Sequence, residues 1–198
     1  FDVPSVDVSW SLEYLGLPYT GPDLVISTVR KDLMKFVART EGISVPASVV
    51  VETPDNLKDS CSHLRYPLFV KPNDLGDSFG IDKASFVHEP SALELKVREL
   101  TSTYDSALIE EYIEGREFSV LICADPDPLR QPMTFIPVEF RFPEGETFKT
   151  FDMKIRQYHP ECNVPCDDPA LAERLRDAAC KVFTAFSAVG YARMDFRV

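Results

Sequence analysis

The run "YPLFVKPNDLGDSFGI", Tyr66 to Ile81, constrains the fold of this chain more than any other segment. "PLFV" reads as a short apolar strand, and Pro72, with no backbone N–H to give to a ladder, ends it just after Lys71. The chain then opens into a loop with Gly76 and Gly80 placed around "DSF". A basic residue leading into a glycine-bearing loop suggests a phosphate cradle, because glycine lets backbone N–H groups approach an anion closely. Asp77 stands in the middle of that loop, where a fixed negative charge repels phosphate.

Composition narrows the classes around this loop. The 198 residues are 44% hydrophobic and 27% charged, enough for a real core in one large or two small domains. The formal net charge of -11 argues against a nucleic-acid binder, which presents a basic face. No apolar run approaches the roughly 20 residues that span a bilayer, so no membrane partner is expected. The start, "FDVPSVDVSW", lacks Met and the pattern of a signal peptide, and it looks cut from something longer. Five scattered cysteines fit free thiols of the cytoplasm or a reducing organelle better than a disulfide framework. Cys162 and Cys166, with His159 nearby, are too loosely spaced for a zinc knuckle and lack a second pair.

Helices and strands alternate along the chain, an α+β pattern with mostly antiparallel strands expected in the second half. "SLEYLGLPYTGP" reads as a helix end closed at Gly16, a strand-like "LPYT" and a turn at Gly21-Pro22. A helix is expected from about Ser27 to Glu41, with Val29, Leu33, Phe36 and Val37 on one face. "VPASVVVE" is a short β-branched strand. Ser91 followed by Glu94 forms a capping-box pattern ahead of the stripe Leu93, Val97 and Leu100. "ALIEEYI" and "EFSVLICA" read as strands separated by Gly115, and "MTFIPVEF" as a strand that Pro137 confines to an edge or a bulge. "ADPDPLRQP" is a loop between strands. Asp168 and Pro169 open a long helix whose apolar face is Leu171, Leu175, Ala178, Val182, Phe186 and Val189. "YARMDFRV" closes the chain as a strand.

Four further clusters could do chemistry. Lys31 and Lys35, four apart, share a helix face, which taken alone is a solvated surface. "IEEYIEGREF" gathers Glu110, Glu111, Glu114 and Glu117, which alone reads as a solvated acidic turn; a strand-edge carboxylate there could also accept from an exocyclic amine. Lys154 and Arg156 lie on one side if their segment is extended. In the last strand Arg193, Asp195 and Arg197 alternate with Ala192, Met194, Phe196 and Val198. An Asp flanked by two Arg is either a structural ion pair or a metal carboxylate beside phosphate-binding cations.

Taken in order, these pieces resemble the D-alanine–D-alanine ligase family of the ATP-grasp superfamily. The similarity runs through "LEYLGLPYTGP", "VRKDLMKFVARTEGISVP", "YPLFVKPNDLGDSFGI", "LIEEYIEGREFSV" and "GYARMDFRV", from about Ser11 to Val198. It implies an ATP-grasp fold, with 1–21 as the tail of an N-terminal domain, 22–112 as the central subdomain and 113–198 as an incomplete C-terminal one. By the same resemblance, Lys31 and Lys71 face ATP phosphates and the loop Gly76, Asp77, Ser78, Phe79 and Gly80 is their lid. Glu110 would take the adenine amine, Ile113 would offer backbone to the ring, and Glu117 would hold the ribose hydroxyls. Arg193, Lys154 and Ser78 fall in the catalytic group, and Asp195 is a magnesium ligand.

The implied reaction is ATP-dependent carboxylate–amine ligation through an acylphosphate, with Mg²⁺ and small amino-acid-like substrates. Lysines and arginine would neutralise charge on the transferred phosphoryl. The alternative is a degenerate nucleotide-binding or structural subunit. A homodimer and a subunit of a larger assembly are both open. The chain departs from the family at Asp77, where the family has Ser, and at Ile155, where it has Tyr. Both positions belong to the group that organises the amino-acid site, so the departures bear on the substrate pair rather than on ATP. The family's Glu-x-Asn metal ligands would fall about a dozen residues beyond Asp195.

Overall fold

The structure is a computed structural model that describes residues 4–76, 78–127, 130–149 and 160–198. It contains two antiparallel sheets, each backed by one long helix. The first holds β1 (Ser48–Val51), β2 (Leu68–Pro72), β3 (Phe86–Val87) and β4 (Ala107–Glu111) in the order β1-β4-β2-β3. The second is built on β5 (Glu117–Cys123). Its short partners β6 (Met133–Thr134) and β7 (Val138–Phe140) pair with opposite ends of β5, and β8 (Asn163–Pro165) follows β7. β9 (Tyr191–Arg197) pairs with all of β5. Among the described residues every pairing is antiparallel, which was expected for the second half and holds for the first as well.

Strand alternation decides which face each sheet gives to its helix. Phe118, Val120 and Ile122 of β5, with Ala192 and Met194 of β9, turn inward. They meet Leu171, Leu175, Ala179, Val182 and Phe183 of the long C-terminal helix, Pro169–Ala185. In the first sheet Leu68, Val70, Ala107 and Ile109 pack on Leu93, Val97 and Leu100 of the helix Pro90–Thr103. Fully burying each Val, Leu, Ile, Phe or Met among them stabilises the fold by about 1.5–3 kcal/mol. The opposite face of the first sheet mixes Lys71 and Glu110 with Phe69, Phe86 and Leu108, and that of the second carries Glu117, Ser119, Arg193 and Asp195. Among the described residues no helix is long and apolar enough to cross a membrane.

Four helices precede β2: α1 (Pro4–Tyr14), α2 (Leu24–Thr28), α3 (Lys31–Thr40) and α4 (Leu57–Ser60). The two long helices above are α5 and α6. The single helix expected over Ser27–Glu41 is two, because Val29 and Arg30 are extended, with ψ of 127° and 148°. Asp23 caps α2 by accepting from the Ile26 N–H. The start of α3 is capped from elsewhere. The Asn73 carbonyl accepts from Lys31 N–H, and Asn73 Oδ1 accepts from Asp32 N–H at 3.1 Å. The face also differs: Leu33 and Phe36 are exposed, while Met34 and Ala38 pack against the second core.

Other local expectations shift for equally physical reasons. "LPYT" forms no strand; the Tyr19 hydroxyl instead donates to Glu13 Oε1. α5 starts at Pro90, and Ser91 Oγ donates to Glu89 Oε1 rather than forming a capping box. Asp168 does cap α6, accepting from the N–H groups of Ala170 and Leu171. Its buried face includes Ala179 and Phe183, and Val189 lies exposed beyond the helix end. "MTFIPVEF" splits into β6 and β7 around Pro137, whose carbonyl accepts from Cys166 N–H. All five cysteines are free thiols.

A short hinge, residues 112–116, joins the sheets. Gly115 has φ of +148°, and a Cβ there would lie 2.2 Å from the Val198 carbonyl oxygen, the atom that accepts from Arg116 N–H. Only glycine lets β9 close on the hinge at this point. We expect Gly115→Ala to destabilise the protein by about 2 kcal/mol or more. The readout is a lower urea midpoint at unchanged slope. A midpoint equal to the parent's would show that this close approach is not maintained in solution.

Candidate nucleotide cleft

On the face of the first sheet turned away from α5, the charged groups converge on one carboxylate. Phe69 and Glu110 are paired across β2 and β4, so Lys71, two residues along β2, sits diagonally beside Glu110 on the same face. Lys71 Nζ donates to Glu110 Oε1 at 2.6 Å, and Lys35 Nζ lies 2.7 Å from Oε2. All three side chains are more than four-fifths buried. With Lys71 at one oxygen and Lys35 at the other, the carboxylate still has lone pairs able to accept from a further donor. Burial opposes ionisation of Glu110, but Lys71 and Lys35 outweigh it and hold the carboxyl below its usual range.

Lys31 is brought to the same place by its helix cap. Its ammonium donates to the carbonyl of Pro72 at 2.8 Å and also to that of Leu75. Burial first, and the neighbouring Lys71 second, lower its pKa to about 8. Burial likewise lowers Lys35. Lys35 is therefore no solvated surface residue, and the acidic segment holding Glu110 and Glu117 is no solvated turn.

The loop after β2 folds back through two turns, Gly76 O accepting from Phe79 N–H and Ser78 O from Ile81 N–H. Ser78 has φ of +61°, a left-handed conformation uncommon outside glycine. Gly80 is pressed against Pro72 and Tyr104, where a Cβ would lie 2.7 Å from Pro72 Cγ. The loop's end is fastened by Lys96 of α5, fully buried and donating to Asp82 Oδ1 and Glu99 Oε1 at 3.0 Å each.

On the second sheet the charged face carries Glu117, Ser119, Arg193, Asp195 and Arg197, since Glu117 pairs with Arg197 and Ser119 with Asp195. Glu117 is held by Lys149 at 2.9 Å on Oε1 and by Arg197 at 3.2 Å on Oε2. Arg193 grips both oxygens of Asp195, at 3.1 and 3.3 Å, and Ser119 Oγ donates to one of them. Both halves of the Arg193–Asp195 pair stay about half exposed. Among the described residues no group of three His, Cys, Asp or Glu side chains could enclose a metal. Asp195 offers a single carboxylate, whereas Mg²⁺ takes an octahedral set of oxygens completed by water and substrate phosphate.

Aromatic contacts join the two faces. Phe148, from the loop after β7, packs on Phe69 at 5.0 Å and on Phe86 at 6.0 Å between ring centroids. Tyr112 of the hinge lies 4.5 Å from Phe86, and its hydroxyl donates to the Thr147 carbonyl. The cleft is thus lysine-rich and acidic on one wall, acidic and arginine-rich on the other, and aromatic where they meet.

Of the residues anticipated from sequence, Lys31, Lys71, Gly76, Ser78, Phe79, Gly80 and Glu110 gather on the first wall. Glu117, Arg193 and Asp195 gather on the second, with Ile113 at the hinge. Asp77 and Lys154, like Ile155, Arg156 and His159, lie outside the described residues. Sequence reasoning missed Asn73, Lys149 and Phe148 altogether. It noted Arg197 only as one of an alternating set. For Lys35, the four-residue spacing from Lys31 was the available signal.

Comparison with known proteins identifies the family. The family model "D-ala D-ala ligase C-terminus" matches residues 37–198. A D-alanine–D-alanine ligase of Chlorobaculum tepidum is 33% identical over 94% of this chain and 52% of its own length. One of Nocardia farcinica is 32% identical with the same coverages. The chain thus spans about half the length of the curated relatives it matches. Among solved structures, the D-alanine–D-alanine ligase of Bacillus anthracis complexed with ATP superposes with a TM-score of 0.74 at 24% identity. That match covers 96% of this chain and 58% of the other. The VanG D-Ala:D-Ser ligase of Enterococcus faecalis gives 0.73 at 24%, covering 96% and 55%. At that identity the likeness is one of fold, and it is the ATP-grasp fold expected from the sequence. The chain belongs to the D-Ala–D-Ala ligase family and carries the portion of it described as the ligase C-terminus.

Proposed function

We propose that this chain is the nucleotide-binding part of an ATP-dependent ligase that joins a carboxylate to an amine, of the D-alanine–D-alanine ligase type. The observation that carries the reading is Glu110. A buried carboxylate held between two lysines, one at each oxygen, keeps lone pairs that a further donor can reach. An exocyclic amine of a purine is such a donor, and the lysines beside it suit the phosphates that follow the base.

In this reading 22–112 forms the central subdomain and 113–198 the C-terminal one, each built around one sheet, with 1–21 leading in from a further domain. Lys31 and Lys71 take the phosphates, and the loop through Gly76, Asp77, Ser78, Phe79 and Gly80 covers them. Ile113 backbone contacts the base ring and Glu117 the ribose hydroxyls. Arg193 and Lys154 neutralise charge on the transferred phosphoryl, and Ser78 orients the acceptor. Asp195 is one ligand of Mg²⁺, which when bound would offset the charge of the phosphate oxygens. The γ-phosphoryl passes from ATP to a carboxylate oxygen with ADP as the leaving group. An amine then attacks the acyl carbon, phosphate departs, the nitrogen loses a proton and the amide remains.

The direct test supplies the protein with ATP, Mg²⁺ and a panel of amino acids and dipeptides. Release of ADP and phosphate dependent on an amino acid is the expected result. Silence across the panel despite measurable ATP binding would overturn the ligase reading.

Two sharper outcomes follow from the site. A lysine with its pKa lowered from 10.5 to about 8 is cationic below pH 8 and loses its charge above it. Its pull on phosphate is therefore present at low pH and lost as pH rises through about 8. The same group costs folding stability below pH 8, a cost relieved between about 8 and 10.5. ATP affinity measured by calorimetry should fall through about pH 8, and Lys31→Met should be weaker below that pH and lack the inflection. Glu110 should also select the base. ATP should bind roughly tenfold or more tightly than ITP, which carries a carbonyl in place of the amine. Glu110→Gln, able to donate as well as accept, should narrow that gap.

A further inference from the structure

We propose that Arg197 is a positioning residue for the nucleotide, acting through Glu117 and the hinge carbonyl of Ile113. One guanidinium joins four stretches of chain. Nη1 donates to Tyr112 Oη at 2.7 Å and to the Ile113 carbonyl at 3.0 Å. Nη2 donates to Glu117 Oε2 at 3.2 Å and to the Thr147 carbonyl. The group also lies over the Tyr112 ring at 4.9 Å and the Phe142 ring at 5.5 Å. It is about four-fifths buried, so these contacts are made largely away from water.

The chemistry follows from the planar fork. A carboxylate on a strand face is free to rotate, whereas one oxygen of Glu117 is fixed by Arg197 and the other by Lys149. That fixes the plane of the carboxylate and leaves its remaining lone pairs in set directions. Arg197 reaches the hinge with its other nitrogen, so the carboxylate and the base-contacting backbone are held at one separation by one rigid group. A lysine at 197 would keep the charge but could not bridge both sides. The inference rests on Glu117 contacting the ribose, and it adds that Arg197 sets the geometry of that contact.

The experiment compares binding of ATP and 2′-deoxy-ATP by calorimetry to the protein and to Glu117→Gln, Arg197→Lys and Arg197→Gln, each checked for a native circular dichroism spectrum. A carboxylate aimed at a ribose hydroxyl should favour ATP roughly tenfold. Glu117→Gln should reduce that preference to about threefold or less. Both Arg197 variants should reduce it to a similar extent, because neither can fix the carboxylate plane and the hinge together. If both keep the full preference while Glu117→Gln loses it, Arg197 is a structural strut and the inference is overturned. If Glu117→Gln keeps the full preference, the ribose reading of Glu117 fails and the inference falls with it. Should neither Arg197 variant fold, Lys149→Met serves instead, since it frees the other oxygen; a full preference there overturns the idea of a fixed carboxylate.

Discussion

A carboxylate removed from water beside two ammonium groups is the interaction on which this cleft is arranged. Desolvating three charges costs several kcal/mol per ion, and their attraction offsets it only where distance and alignment are good. Glu110, Lys71 and Lys35 reach contacts of 2.6 and 2.7 Å because three elements are brought to one point. The β2–β4 register sets Lys71 diagonally beside Glu110, and α3 delivers Lys35 from the side. Asn73 fastens α3 by capping its first turn from the loop that follows β2. The cap that orders the helix therefore also brings Lys31 to the mouth of the glycine loop.

The second wall obeys a different constraint. Its charges lie on the outer face of β5 and β9, where strand alternation forces polar residues together once Phe118, Val120 and Met194 have turned toward α6. Each carboxylate there meets cations directly opposite or beside it, Glu117 with Arg197 and Lys149, Asp195 with Arg193. The walls are tied at the hinge by aromatic packing of Phe148 and Tyr112 on the first sheet and by Arg197 from the second. This arrangement places both walls on rigid strands, with the covering loop anchored at its far end by Lys96 and Asp82.

Much of this was legible in the residues. Strands of period two, Pro72 as a stop, Asp168 as a cap and Gly115 between two strands are local signals, and each appears where the sequence puts it. The apolar faces of α5 and of β9 followed from periodicity alone. What failed was whatever depended on a distant partner. Ser27–Glu41 has a helical pattern throughout, yet it divides because Asp23 and Asn73 cap two separate starts. Leu33 and Phe36 look like a core stripe, yet the sheet and α6 lie on the side of Met34 and Ala38. Lys35 looks solvated because its partner, Glu110, stands on a strand far along the chain.

By itself the sequence determined the order of elements, the two strand-rich halves, the lysine ahead of the glycine loop and, through five motifs in order, the family. Those features rest on short-range sterics and periodicity, which act whatever the rest of the chain does. Tertiary structure alone decided which carboxylate each cation meets, that Glu110 is buried between two lysines, and that Arg197 spans the hinge. Charge pairing depends on distance through space and on exclusion of water, and neither exists until strands have paired and helices have packed on them.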